Sequence, residues 1–267
     1  MPEFDLNLIV YGLAVGLAAG LIGGMLAGLA GVGGGLVYVP LFYALMPDID
    51  KGISMHVFAS MVAIVITGLF SARAHWRLQH VNIPGLTQLL PGLIIGAALG
   101  LWSTLHIDEI WVLLCLSLLN AWVAYDYGKR IKPAKSEAPS LHLLSGPIGY
   151  ISGFLGIGGG TMLVPLLRRH IKLRLAVGTS AVAGAVMAAS AVTINVTLET
   201  SWQLQFSAHR EFLLSAWLGI LLILPASSTW AAALHTSVAE LSLRMILKSI
   251  FIALSAGLFI AALLAGL

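Results

Sequence analysis

Two glycine runs are the part of this chain best placed to do chemistry. Gly31-Val32-Gly33-Gly34-Gly35 leads into Leu36-Val37-Tyr38-Val39-Pro40, and Gly156-Ile157-Gly158-Gly159-Gly160 leads into Thr161-Met162-Leu163-Val164-Pro165. A helix that restarts after such a run presents N–H groups with no intrahelical partner, and its aligned peptide dipoles make that end electropositive. The chemistry on offer is the holding of a small anion without a basic side chain. The candidate contacts are Gly31, Gly33, Gly34, Gly35, Gly156, Gly158, Gly159, Gly160 and Thr161, the last of which caps its helix or lends a hydroxyl. Pro40 and Pro165 fall where a proline kinks a helix.

The next apolar segment of each half adds small hydroxyls. Val177-Gly178-Thr179-Ser180-Ala181 answers to Val57-Phe58-Ala59-Ser60-Met61, so that Ser60 corresponds to Ser180. Ser60, Thr179 and Ser180 either bind oxyanion oxygens or return a bond to a backbone carbonyl one turn earlier. Asn195 is a weaker candidate of the same kind. His56 is the one histidine well inside an apolar segment and the candidate for proton coupling, since imidazole changes charge near neutral pH. His75, His80, His106, His142, His170, His209 and His235 read as loop or near-loop residues without metal-ligand spacing. No carboxylate lies deep in an apolar segment, and no Walker, dinucleotide, Cys-x-x-Cys or HExxH motif is present. An enzyme, an ATP-driven pump and a bound cofactor or metal are therefore not expected.

The elements that must position these groups are membrane helices. Of 267 residues 59% are hydrophobic and only 9% charged, against about a quarter charged in soluble domains. Asp, Glu, Lys and Arg are absent from 6–47, 52–72, 81–107, 110–125, 141–167, 175–198 and 212–239, and about 20 apolar residues suffice for a span. The net charge of +3 reads as a topology signal rather than as a nucleic-acid footprint, because the basic residues cluster in short loops. The expected map is a glycine-rich segment at 7–46 with spans at 53–72, 84–104 and 109–127, then a motif segment at 141–168 with spans at 175–196, 212–233 and 244–265. Residues 1–127 form the first membrane repeat, 128–140 a cytoplasmic linker and 141–267 the second repeat.

Basic residues favour motif segments that enter and return, as a re-entrant loop or a pair of helices. One side then collects Arg73, Arg77, Lys129, Arg130, Lys132, Lys135, Arg168, Arg169, Lys172, Arg174 and Arg244, the other only Lys51 and Arg210. The expected fold is an all-α polytopic membrane protein of two inverted-topology repeats, each a glycine-broken or re-entrant segment followed by three transmembrane helices, with both termini non-cytoplasmic. The ladders Gly12, Gly16, Gly20, Gly24, Gly28 and Gly92, Gly96, Gly100 read as helix-packing seams. Cys115 reads as a small buried hydrophobe. The acidic start reads as no signal peptide, with the first apolar segment retained.

The two glycine runs with Pro40 and Pro165, the Gly178-Thr179-Ser180 triplet and the Ala72-Arg73-Ala74-His75 stretch resemble the sulfite exporter TauE/SafE family of membrane permeases. The first half departs from that pattern, with Phe58-Ala59 where a small residue and threonine are expected. The resemblance implies a prokaryotic plasma-membrane protein, which is the inner membrane if the cell is Gram-negative. Its substrate would be sulfite, an organosulfonate or a related sulfur oxyanion. Alternating access would be driven by an ion gradient, with a proton or Na⁺ as coupling ion, or by the substrate's own gradient. A channel for a small anionic or neutral solute and a non-transporting assembly or signalling partner are the competing expectations. The lipid bilayer is the expected surrounding, nucleic acid is not a partner, and a homo-oligomer is open.

Overall fold

A computed structural model describes residues 5–30, 34–47, 52–126, 141–168, 170–237 and 240–266. All regular structure among them is helical: α1 Leu6–Ala30, α2 Gly35–Leu45, α3 Ser54–Arg77, α4 Ile83–Ser103, α5 Glu109–Asp126, α6 Leu141–Leu155, α7 Gly160–Leu167, α8 Leu173–Leu198, α9 Thr200–Ser237 and α10 Glu240–Ala265. In hydrocarbon every backbone polar group must find its partner within the protein, which a helix achieves by itself. Among the described residues, 7 helices, α1, α3, α4, α5, α8, α9 and α10, are long and apolar enough to cross a membrane. The chain is an all-α, multi-pass membrane protein. Exposed tryptophans stand near the helix ends, Trp76 and Trp122 at one level, Trp102 and Trp111 at the other, as in the aromatic belts of membrane proteins.

Each motif segment is a long helix, a break and a short helix. α2, with 11 residues, and α7, with 8, extend only about 16 Å and 12 Å at 1.5 Å per residue, far short of a bilayer core of about 30 Å. α2 comes back along α1: the Tyr38 ring packs against Gly23, and Tyr11 Oη near the start of α1 donates to Leu45 O at the end of α2 at 2.8 Å. α7 ends where Arg168 bridges Asp126 at the end of α5 at 3.2 Å.

Two glycine seams hold the helices together. Gly12, Gly16, Gly20 and Gly24 of α1 meet Phe212, Ala216, Ile220 and Ser227 of α9, so α1 and α9 run parallel. Gly92, Gly96 and Gly100 of α4 meet Ser145, Gly146 and Tyr150 of α6, again in parallel. A Cβ on Gly16 or Gly96 would overlap a backbone carbonyl of the facing helix, which is why the seams take no larger residue. α3 packs on α8 and α5 on α10. One end of this bundle gathers Arg73, Arg77, Arg168, Lys172 and Arg174. There the α3–α4 loop lies on α8, with Thr179 Oγ1 accepting from Asn82 N–H at 2.8 Å. At the opposite end Ser54 Oγ donates to Gln205 Oε1 at 3.3 Å.

Three expectations need correction. α3 continues to Arg77 rather than stopping near residue 72, because His75 and Arg77 occupy its last turn, where positive charge suits the helix dipole. α9 begins at Thr200, directly after the extended residue Glu199, not at 212, and carries polar residues through its first turns. Cys115 is exposed on the outside of α5. An apolar side chain in a membrane protein has lipid as well as protein to face, so it need not be buried in the bundle. Lys51, Arg169, the segment 128–140 and the glycines Gly31 and Gly33 lie outside the described residues.

Candidate functional site

The two breaks converge. A Cβ built on Gly35 would fall on the backbone of Ile157, so the start of α2 and the break before α7 touch, backbone to backbone. Gly156 and Gly158 have φ of +61° and +69°, the left-handed region that glycine adopts without strain. Together these two residues turn the chain out of α6 and into α7. Ser60 Oγ reaches across from α3 and donates to Gly156 O at 2.6 Å, buried. In α2 the Gly34 carbonyl accepts from Val37 and Tyr38, and in α7 the Gly159 carbonyl accepts from Met162 and Leu163. The N–H groups of Gly35 and Leu36, and of Gly160 and Thr161, therefore precede the helix ladders.

Beside this junction lies a cavity of about 80 Å³. A cavity needs roughly 10–15 Å³ by the same measure to hold one water, so the space suits several waters or one compact oxyanion. Its floor is Gly34, Gly35 and Ile157 to Gly160. One wall is α3, with Ile64, Thr67, Gly68, Ser71 and His75; the other is α8, with Val177, Ser180, Ala181, Gly184 and Ala185. Close approach of Gly159 to Gly184, where an added Cβ would be 3.5 Å from the facing Cα, lets the break lie against α8.

Of the expected contacts, Gly34, Gly35, Gly158, Gly159, Gly160 and Ser180 come together on this cavity. Ser180 is 1% exposed, and its hydroxyl has no hydrogen-bond partner. Thr161, also buried and with an unpartnered Oγ1, is in the first turn of α7 outside the cavity lining; the residue that caps α7 is Gly159, without a side-chain bond. Ser60 and Thr179 stand outside the lining, each bonded to backbone, Gly156 O in one case and Asn82 N–H in the other. Pro40 and Pro165 lie inside α2 and α7, where a ring without N–H leaves the carbonyls of Leu36 and Thr161 without that ladder bond. His56 is buried near the start of α3, its ring 5.2 Å from that of Tyr43, away from the lining. Asn195 donates through Nδ2 to Ala98 O and Ala191 O and accepts from Trp202 Nε1.

Sequence reasoning missed Thr67, Ser71 and His75. They lie four residues apart within an apolar segment, which puts them on one helix face, and that stripe was the available signal. It was hidden because Arg73 ended the charge-free window and moved His75 into an expected loop. Among the described residues no three His, Cys, Asp or Glu side chains gather to hold a metal ion.

A multi-pass helical protein with two converging glycine breaks and an uncharged, hydroxyl-bearing cavity beside them defines a class. Residues 16–266 match the family model described as Sulfite exporter TauE/SafE, and the chain belongs to that family. It is 34% identical over 173 residues to a "Probable membrane transporter protein" of Haemophilus influenzae, covering 61% of this chain and 65% of the relative. It is 26% identical over 166 residues to the "Probable membrane transporter protein YunE" of Bacillus subtilis, covering 52% and 61%. A third relative, the "Probable inner membrane transporter protein TsaS" of Comamonas testosteroni, is 28% identical over 107 residues, covering 39% and 41%. The matched stretches span less than two thirds of each of these relatives. No solved structure matches the chain.

Proposed function

We propose that the protein is a secondary transporter that moves a small anion, sulfite or a related sulfur oxyanion or organosulfonate, by alternating access. The observation that carries this reading is the cavity at the meeting of the two breaks, with the buried, unpartnered Ser180 hydroxyl in its wall. Helix-start N–H groups and hydroxyls, with no fixed cation among the lining residues, suit an anion that must bind and then leave. The family description names sulfite, and the relatives are named as transporters.

In this reading residues 1–127 and 141–267 are inverted repeats joined by a cytoplasmic linker at 128–140. The packing supports it: exchanging α1–α5 with α6–α10 turns the α1–α9 pair into the α6–α4 pair and leaves α3–α8 and α5–α10 as self-pairs. The end bearing Arg73, Arg77, Arg168, Lys172 and Arg174 is the cytoplasmic one, and both termini are non-cytoplasmic. Cysteines at Ser136 and Lys172, in a Cys115-free background, are expected to label from one side and a cysteine at Lys51 from the other. Labelling of Ser136 and Lys172 from opposite sides removes the inverted-repeat arrangement.

In this reading the side away from the basic end is the closed one. Positions of α8 and α3 that answer to the cavity lining, such as Met61, Met187 and Ala191, are fully buried, and Phe58 stacks on Trp202 with ring centroids 5.1 Å apart. A closed side favours a transporter over an open channel. His56 is the proposed proton-coupling residue. The test is counterflow with the full chain in liposomes, using sulfite, sulfate, thiosulfate, sulfoacetate and taurine. Saturable exchange of at least one is expected; a null across the panel overturns the transport reading.

A further inference from the structure

We propose that His75 is a substrate-contacting residue that faces Ser180 across the cavity, so that each half supplies one side-chain donor to the bound oxyanion. This rests on the transport reading and says which groups recognise the cargo.

The cavity is lined by four polar side chains, Thr67, Ser71 and His75 from α3 and Ser180 from α8. Thr67 is committed: its hydroxyl donates to Ala63 O at 3.0 Å and Ile64 O at 3.3 Å, which leaves it no hydrogen for an anion. Ser180 Oγ and His75 Nδ1 are both buried, and neither has a hydrogen-bond partner. Buried polar atoms are nearly always satisfied, by protein, water or ligand. These two residues come from the two helices that wall one cavity, and a ligand bonding to both would satisfy the two atoms together.

His75 has a structural role available to it, in the last turn of α3, where a cation suits the dipole. Among the described residues its ring packs against His80, with centroids 6.0 Å apart, and Nδ1 has no hydrogen-bond partner. The position of α8 that corresponds to His75 makes the difference plain. Asn195 there has its amide committed to Ala98 O, Ala191 O and Trp202 Nε1, so it holds structure and has little left for a ligand. The free donors thus lie toward the basic end of the bundle. A cavity of about 80 Å³ with a donor on each wall fits a compact ion bearing terminal oxygens on opposite sides of one central atom.

The test uses the full-length protein, with sulfite as probe, in two assays: counterflow in liposomes and calorimetric binding in detergent. The variants are His75→Phe, which keeps ring volume without a donor, His75→Gln, which restores a donor, Ser180→Ala, and His80→Ala as the neighbour outside the lining. Loss of one bond to a charged group corresponds to roughly ten- to hundredfold in affinity. His75→Phe and Ser180→Ala are each expected to raise KM and Kd within that range at unchanged maximal rate and melting temperature. His75→Gln should recover to within about threefold of wild type, and His80→Ala should match wild type. Unchanged KM and Kd in His75→Phe beside a weakened Ser180→Ala overturns the role of His75 and leaves the transport reading intact. A fall in melting temperature that parallels the loss in His75→Phe makes the residue structural and also overturns it. Wild-type protein that binds sulfite without counterflow removes sulfite as transported cargo while the binding arm still decides His75; wild-type protein that neither binds nor exchanges sulfite overturns the role of His75 toward sulfite, and the transport reading falls only with a null across the whole panel.

Discussion

α3 passes the cavity with Thr67, Ser71 and His75 along it, whereas the positions of α8 that answer to them are Met187, Ala191 and Asn195, all buried. The breaks differ in the same unequal way. The start of α2 abuts the Ile157 backbone through Gly35, while Gly159 at the start of α7 meets chiefly the tip of Leu163. The cavity therefore takes three of its polar side chains from α3 and one, Ser180, from α8. Helices with matching packing partners need not carry matching chemistry: the glycine seams α1–α9 and α4–α6 pack alike, while the cavity draws unequally on α3 and α8.

The widest gap between the two breaks is expected from a single methyl group. In Gly35→Ala the new Cβ falls on the Ile157 carbonyl, which is backbone and cannot swing aside. In Gly159→Ala the nearest atom is Leu163 Cδ1 at 2.8 Å, the end of a flexible side chain, and the next is Gly184 Cα at 3.5 Å. Overpacking typically costs about 1–3 kcal/mol, and more where backbone must move. Gly35→Ala is expected to cut folded yield and counterflow to below roughly a tenth, as scored by size-exclusion profile and exchange rate, while Gly159→Ala folds and keeps measurable exchange. Equal behaviour of the two would mean that the breaks are equivalent after all.

The end of the bundle away from the basic residues offers the second contrast. Trp202 is fully buried, stacked on Phe58 and bonded through Nε1 to Asn195 Oδ1 at 3.3 Å. Trp202→Ala is expected to cost about 3–5 kcal/mol, the range for deleting a buried aromatic. A drop in melting temperature and a sulfite leak across liposomes that does not require exchange are the readouts. Trp202→Phe, which keeps most of the stack and loses one hydrogen bond, should cost about 1 kcal/mol and stay tight.

Ser60 and Ser180 correspond between the halves and should separate stability from binding. Ser60→Ala removes the buried bond to Gly156 O and strands that carbonyl, at about 1–3 kcal/mol, so the protein melts earlier. Ser180→Ala removes a hydroxyl that has no protein partner, so melting should hold while sulfite affinity falls. Both changes lowering stability alike would place Ser180 among the structural hydroxyls.

Much of this was legible in the chain. Charge-free windows located the spans, fourfold glycine spacing located the α1–α9 and α4–α6 seams, and the paired runs located the junction. The roles of individual hydroxyls were not legible, because spacing along one helix says nothing of which carbonyl faces it across a crossing. Thr179 and Ser60 read equally as oxyanion ligands or as backbone-bonding hydroxyls; in the fold Thr179 accepts from Asn82 N–H and Ser60 donates to Gly156 O. His75 was passed over because charge, not helix geometry, marked the end of α3. Cys115 was misjudged because lipid, unlike water, puts no premium on turning an apolar side chain inward.

The smallest effect is expected at His56, and it is an effect on pH dependence rather than on affinity. The residue is buried at the end of α3 away from the basic face, with the Tyr43 ring at 5.2 Å and His209 of α9 as its titratable neighbour. It does not line the cavity, so a change there has no direct route to the bound ion. His56→Gln keeps size and a hydrogen-bonding end but cannot take up a proton. Sulfite affinity at a single pH should stay within about twofold of wild type, while exchange measured from pH 5.5 to 8 should lose its pH dependence if His56 carries the coupled proton. A profile that keeps its full pH dependence in His56→Gln, and flattens in His75→Gln, would move coupling onto the cavity wall and make α3 both the binding and the coupling face.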